Sequence, residues 1–154
     1  MPRVSEIGIY EQRECPTLVV RTRSSVQNLM NVTMDVYGRI NAYLAELKET
    51  PAGIPFITYH NMDMNDLDIA VGIPVAKELP PRGDMASGRL PQARVVTCMH
   101  RGPYNSTGPT YEEMHKWIAA KGLTLFGVVR EAYFNSPDDV SEDELLTEIT
   151  MPLK

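Results

Sequence analysis

With 154 residues, a formal net charge of −5 and a pI near 5.2, the chain lacks the basic footprint that supplies most nucleic-acid affinity. Hydrophobic residues make up 43% and charged residues 23%, a composition that suits one ordinary globular core, and no run of about 18 apolar residues is present to cross a bilayer. Met1 to Glu6 do not join a basic segment to an apolar core, so no secretory signal is expected and the compartment expected is the cytoplasm.

In chain order, Val4 to Arg13 read as a half-exposed strand broken by Pro16, and Leu18 to Thr22 as a second strand forming a hairpin with it. Residues 24–31 are polar and loop-like. Asn31 or Thr33 is placed to cap a helix reaching Glu49, with Val36, Ile40, Tyr43, Leu44 and Leu47 at three- and four-residue spacing. Ile54 to His60 and Leu67 to Val75 read as strands around a turn at 61–65. Residues 76–91, with Pro80, Pro81, Gly83 and Gly88, read as an irregular crossover. The order then recurs: a strand from Ala93 to His100, a helix from Thr110 to Lys121 closed by Gly122, and strands from Leu125 to Phe134 and from Leu145 to Leu153.

The recurrence extends to residues. A shift of 74 positions matches Tyr37 with Tyr111, Tyr43 with Trp117, Gly53 with Gly127, Ile57 with Glu131 and Tyr59 with Tyr133. A shift of 78 matches Ile73-Pro74-Val75 with Met151-Pro152-Leu153. This predicts a duplication, with pseudo-repeats at about 4–75 and 92–154 in a single domain over 1–154. The economical architecture is α+β: two strand-helix-strand-strand units forming a curved antiparallel sheet, both helices on one face and a central ligand groove on the other.

Within the strand Gly127 to Tyr133, alternation puts Val129, Glu131 and Tyr133 on one face. A carboxylate there lies either at a wet surface or in a pocket with a partner. Its counterpart in the first repeat, Ile57, is aliphatic, so a groove location would make Glu131 the element that sets specificity. Cys15 and Cys98 are isolated, and His60, His100 and His115 lack ligand spacing, so no metal site is expected. No phosphate-binding glycine loop is present and no cofactor is expected.

Taken together, His100-Arg101-Gly102-Pro103-Tyr104, Trp117, the Gly127–Tyr133 strand with its central Glu, and the closing Thr147 to Leu153 resemble the GyrI-like family. That family includes effector-binding domains of AraC- and MerR-type transcriptional regulators and gyrase-inhibitory proteins. The resemblance implies a pseudo-symmetric α+β fold whose groove takes hydrophobic, planar or cationic compounds. It implies that Glu131 meets the positive charge, and that Tyr104 and Trp117 stand at aromatic motif positions. The ligand-binding set expected is Glu131, Tyr133, Tyr104, Trp117, Ile57, Tyr59, Val129 and Tyr43. A small molecule is the expected partner, with a partner regulator or gyrase beside it. Direct DNA binding is not expected, because no helix-turn-helix segment is visible. Two alternatives follow: a hydrolase of reactive small molecules with Glu131 as general base, and a gyrase-inhibitor-like interaction module using the acidic segment Asp138 to Glu144.

Overall fold

The computed structural model describes residues 5–154, so the predicted strand start at Val4 lies outside the described residues. The elements are β1 (Gly8–Gln12), β2 (Cys15–Ser24), α1 (Leu29–Glu46), β3 (Phe56–Tyr59), β4 (Leu67–Pro74), β5 (Met85–Leu90), β6 (Ala93–Arg101), α2 (Gly108–Ala120), β7 (Val129–Tyr133) and β8 (Leu146–Pro152). The class is α+β. The strands pair antiparallel in two compact units, one spanning Arg13–Gln92 and the other joining the residues up to Gln12 to Ala93–Lys154. No helix among the described residues is long and apolar enough to cross a membrane.

Each unit repeats one plan. In the first, β4 is flanked by β3 and β2, and α1 packs on β2 and β4. In the second, β8 is flanked by β7 and β6, and α2 packs on β6. The registers coincide as the repeat requires. Thr17 faces Pro74 as Val95 faces Pro152, and Ile57 faces Val71 as Glu131 faces Ile149. The aliphatic group and the carboxylate therefore occupy equivalent positions in the two units.

The helices close alike. After α1, Lys48 adopts φ 58°, with its N–H donating to the Ala45 carbonyl and Glu49 N–H to that of Leu44. After α2, Gly122 adopts φ 68°, with Gly122 N–H donating to Ala119 O and Leu123 N–H to Ile118 O. Both are left-handed terminations that satisfy orphan carbonyls. Glycine announces the second in the sequence, whereas lysine hides the first, and α1 stops at Glu46 rather than Glu49. At the other end α1 begins at Leu29 after Asn28, so Asn31 and Thr33 lie inside the helix instead of capping it.

Three further expectations are corrected. β1 and β2 do not form a hairpin: β4 and β5 occupy both edges of β2, and β1 pairs with β6. The crossover is not irregular throughout, because Met85–Leu90 adds an edge strand beside β2. Its sequence Met-Ala-Ser-Gly-Arg-Leu has weak strand propensity, and backbone pairing rather than side-chain pattern holds it. The strand predicted from Leu125 begins only at Val129. Gly127 at φ 123° turns the chain, Phe126 is exposed, and Leu125 makes a single bridge to Leu153.

Close approach explains one glycine. A Cβ on Gly72 would stand 2.5 Å from Val19 Cγ1, 2.8 Å from the Leu18 carbonyl oxygen and 2.9 Å from Phe56 Cζ. The backbone oxygen cannot rotate away, so Gly72→Ala is expected to cost about 1–3 kcal/mol through overpacking, measured as a lower urea midpoint at unchanged m-value.

Candidate ligand-binding site

The core of the second unit sits between α2 and one sheet face. Val96 and Cys98 of β6, Ile149 and Met151 of β8, and Met114 and Ile118 of α2 form a buried cluster, with Tyr111, Trp117 and Val129 packed against it. Glu131 stands opposite Ile149, and Ile149 stands opposite Cys98, so the Glu131 side chain is on this helix-bearing face. The sequence places the ligand groove on the face away from the helices, whereas the Glu131 carboxylate points toward α2, because its strand register follows the core residues beside it.

Glu131 is only 9% exposed. A carboxylate removed from water must be hydrogen-bonded to persist as an anion. The Tyr111 hydroxyl, from α2, donates to Oε2, and the Tyr133 hydroxyl donates to Oε1 at 2.8 Å. Tyr133 reaches it because residues two apart on a strand share a face. Tyr104, in the 3-10 turn Tyr104–Ser106, sets its ring edge-on to that of Tyr133, with centroids 5.5 Å apart at 73°. Burial, and then the negative charge of Glu131, raise the Tyr104 phenol above its usual range, so it remains a neutral hydroxyl at physiological pH.

The arrangement is thus one ionisable carboxylate among three tyrosines. Hydroxyl donors stabilise an anion without cancelling its charge, and aromatic faces attract cations. A carboxylate in such surroundings can also take a proton from water.

Of the expected residues, the structure brings together Glu131, Tyr133 and Tyr104, with Val129 packed on the adjoining core. Trp117 stands on the other flank of α2 from Tyr111, about 240° round at roughly 100° per residue, with Lys121 Nζ 5.4 Å from its ring. Ile57, Tyr59 and Tyr43 are buried in the other unit. Tyr43 donates to the Pro80 carbonyl at 2.8 Å, with the Arg82 guanidinium 4.1 Å from its ring centroid. Tyr111 was not among the expected site residues. Its signal was the repeat: it matches Tyr37, whose hydroxyl donates to the Phe56 backbone carbonyl of β3. The same tyrosine position therefore reaches the equivalent strand in both units, meeting the Phe56 carbonyl in the first and the Glu131 carboxylate in the second.

On the opposite face of β7, Arg130 donates to Gln12. Its charge partly offsets the burial that raises Glu148 above the usual carboxylate range. Behind the tyrosines, His100 of β6 is fully buried, with Nδ1 3.0 Å from Thr110 Oγ1 and Nε2 3.2 Å from Ser106 Oγ. The Ser106 hydroxyl donates to the Pro103 carbonyl at 2.7 Å, so its oxygen accepts from Nε2–H and Nδ1 accepts from Thr110. This neutral ring ties β6 to the turn carrying Tyr104. Burial lowers its pKa. The folded state therefore resists a proton that the unfolded chain takes up near pH 6.5, and stability falls as pH drops below about 6.5. Burial lowers His60 as well, with the same sign. The dependence carried by His100 is read as the difference between wild type and His100→Gln in urea midpoints from pH 7.5 to 5.5, where the variant should show the shallower fall.

Two repeated antiparallel units, each carrying one helix, define an α+β class of domain. Residues 6–154 match the model of the GyrI-like small molecule binding domain, and the chain belongs to that family. Among solved structures, the EcmrR C-terminal domain superposes with a TM-score of 0.81 at 19% identity, covering 97% of each chain. EcmrR in its DNA complex gives 0.82 at 19% identity, with 97% of this chain covered but only 57% of that one. A hydrolase from Listeria innocua gives 0.69 at 15% identity, covering 97% and 92%, and SAV2435 bound to tetraphenylphosphonium gives 0.67 at 12%, covering 97% and 94%. A search of the curated proteins returned no match.

Proposed function

We propose that the chain binds a lipophilic cation, with its charge met by Glu131 and its apolar body laid against the rings of Tyr104 and Tyr133. One observation carries this reading: the buried Glu131 carboxylate accepts from the Tyr111 and Tyr133 hydroxyls, neutral donors that favour its anionic form. An edge-on tyrosine pair beside it offers aromatic surface, and cation–π attraction adds about 0.5–2 kcal/mol. SAV2435, a protein of the same fold, was captured with tetraphenylphosphonium, a cation of this description. The chain corresponds in extent to the C-terminal part of a longer DNA-bound relative. We therefore place its output in contact with a regulator segment, carried in cis or by a partner chain.

The reading is tested by calorimetry with tetraphenylphosphonium and the neutral triphenylphosphine oxide. The cation should bind at least about tenfold more tightly, equivalent to about 1.4 kcal/mol; equal affinities would refute charge pairing.

A second reading, hydrolysis, has one observation in its favour. The Tyr111 and Tyr133 hydroxyls lie at the carboxylate, so Glu131 can act as base toward water while a phenol donates to the leaving atom. Turnover of a reactive electrophile, abolished in Glu131→Gln, would establish it. The interaction-module reading has less support. In the acidic segment the Ser136 hydroxyl donates to Asp139 and that of Ser141 to Glu144, so these side chains satisfy one another locally.

A further inference from the structure

The duplication gives the second unit an internal control. The strand registers make Thr22 the counterpart of His100, since Thr22 faces Ile69 as His100 faces Thr147. The 74-residue shift makes Met30, Val32 and Val36 the counterparts of Tyr104, Ser106 and Thr110. The first unit joins strand to helix with a threonine and two valines, so the fold does not demand a buried imidazole with two hydroxyl partners at this junction. Burying such a polar group carries a desolvation cost that its hydrogen bonds only offset. That cost falls in the unit that carries Glu131, beside the turn that carries Tyr104.

Residues 30–32 belong to the continuous helix α1, whereas Tyr104–Ser106 form a separate 3-10 turn ahead of α2. Pro109, in the first turn of α2, has no N–H to donate back to Asn105, four residues before it. The turn is tied to the interior of its unit by a side chain instead: His100 Nε2 lies 3.2 Å from Ser106 Oγ. Gly102 packs against this contact, and a Cβ there would stand 3.3 Å from Ser106 Oγ and 3.7 Å from His100 Nε2. Through Nδ1 the same ring reaches Thr110 of α2 at 3.0 Å. One imidazole thus links β6, the turn and α2, and the Tyr104 ring stands two residues from the serine that it holds.

We propose that Ser106, held by His100, is a positioning residue of the ligand site: it fixes the turn so that the Tyr104 ring stands beside Tyr133 and sets the affinity for the apolar body of the ligand. The proposal rests on the reading that Tyr104 and Tyr133 receive this body, and it is independent of the charge that Glu131 meets.

The test joins calorimetry with tetraphenylphosphonium and triphenylphosphine oxide to NMR of the free chain. Ser106→Ala should weaken both compounds by about three- to tenfold, the loss expected for one hydrogen bond, and leave the ratio between them unchanged. Ser106→Thr keeps the hydroxyl and should restore the wild-type affinities. Added to Tyr104→Ala, Ser106→Ala should bring no further loss, because the serine acts through that ring; a hydroxyl that served the fold alone would add its cost in both backgrounds. Without ligand, nuclear Overhauser contacts between the Tyr104 and Tyr133 rings should be present in wild type and Ser106→Thr and absent in Ser106→Ala. Ring contacts that persist in Ser106→Ala would overturn the proposal whether or not either compound binds, as would an equal loss from Ser106→Ala with and without Tyr104. Equal affinities of the two compounds in wild type would refute charge pairing at Glu131 and leave these two results to decide the role of Ser106.

Discussion

Replacing Glu131 by Gln is expected to weaken tetraphenylphosphonium binding by about 30- to 100-fold, or about 2–3 kcal/mol, while triphenylphosphine oxide binding changes little. The substitution is nearly isosteric, so the packing of Tyr104 and Tyr133 is kept while the charge goes and one of the two acceptor oxygens becomes an amide donor. The effect is large because a carboxylate at 9% exposure has already lost its water, and its attraction for a cation is weakly screened. Calorimetry on both proteins with both ligands forms a double comparison in which the loss seen for the cation on substitution is read against the change seen for the neutral ligand. A change of less than about twofold for the cation would remove Glu131 from charge recognition. The rings would then be the whole of the site.

The second large effect falls on stability. Ile149 is fully buried, paired with Cys98 on one side and Glu131 on the other, and belongs to the cluster with Met114 and Ile118. Ile149→Ala should cost about 2–5 kcal/mol, from lost transfer energy plus the cavity left under α2. That is a large share of a total of about 5–15 kcal/mol for a domain. Denaturant unfolding should show the lower midpoint, and a cost under about 0.5 kcal/mol would mean that the core is not centred there. The same residue supports the strand position of Glu131, so the variant should also weaken cation binding near its melting range.

Much of this molecule is legible in its residues. The apolar spacing of Val36, Ile40, Tyr43 and Leu44 faces inward as the helical period demands. The repeat predicted the equivalence of Ile57 and Glu131, and the strand registers reproduce it. The resemblance to the GyrI-like family, read from the His100–Tyr104 turn, the Glu131 strand and the closing strand, agrees with the family match over residues 6–154.

What was hidden has physical reasons. Strand β5 is held by backbone bonds and shows little side-chain periodicity. The left-handed closure at Lys48 uses a residue that gives no sign of it. The partner of β1 depends on which strand edges are free, a long-range matter that local pattern does not contain. Among site residues, Tyr111 reads as one more position in an apolar helical stripe until its hydroxyl is placed beside the carboxylate. Trp117, the only tryptophan, packs with Tyr111 against the same core from a different side of α2.

The central claim is that Glu131 and its tyrosines receive a cation, and a crystal structure of the complex with tetraphenylphosphonium tests it most directly. The account predicts a phosphonium centre within about 6 Å of the Glu131 carboxylate, with phenyl groups against the rings of Tyr104 and Tyr133. A complex in which the cation is bound elsewhere, with the Glu131 carboxylate still held by both tyrosine hydroxyls and no ligand beside it, would contradict it.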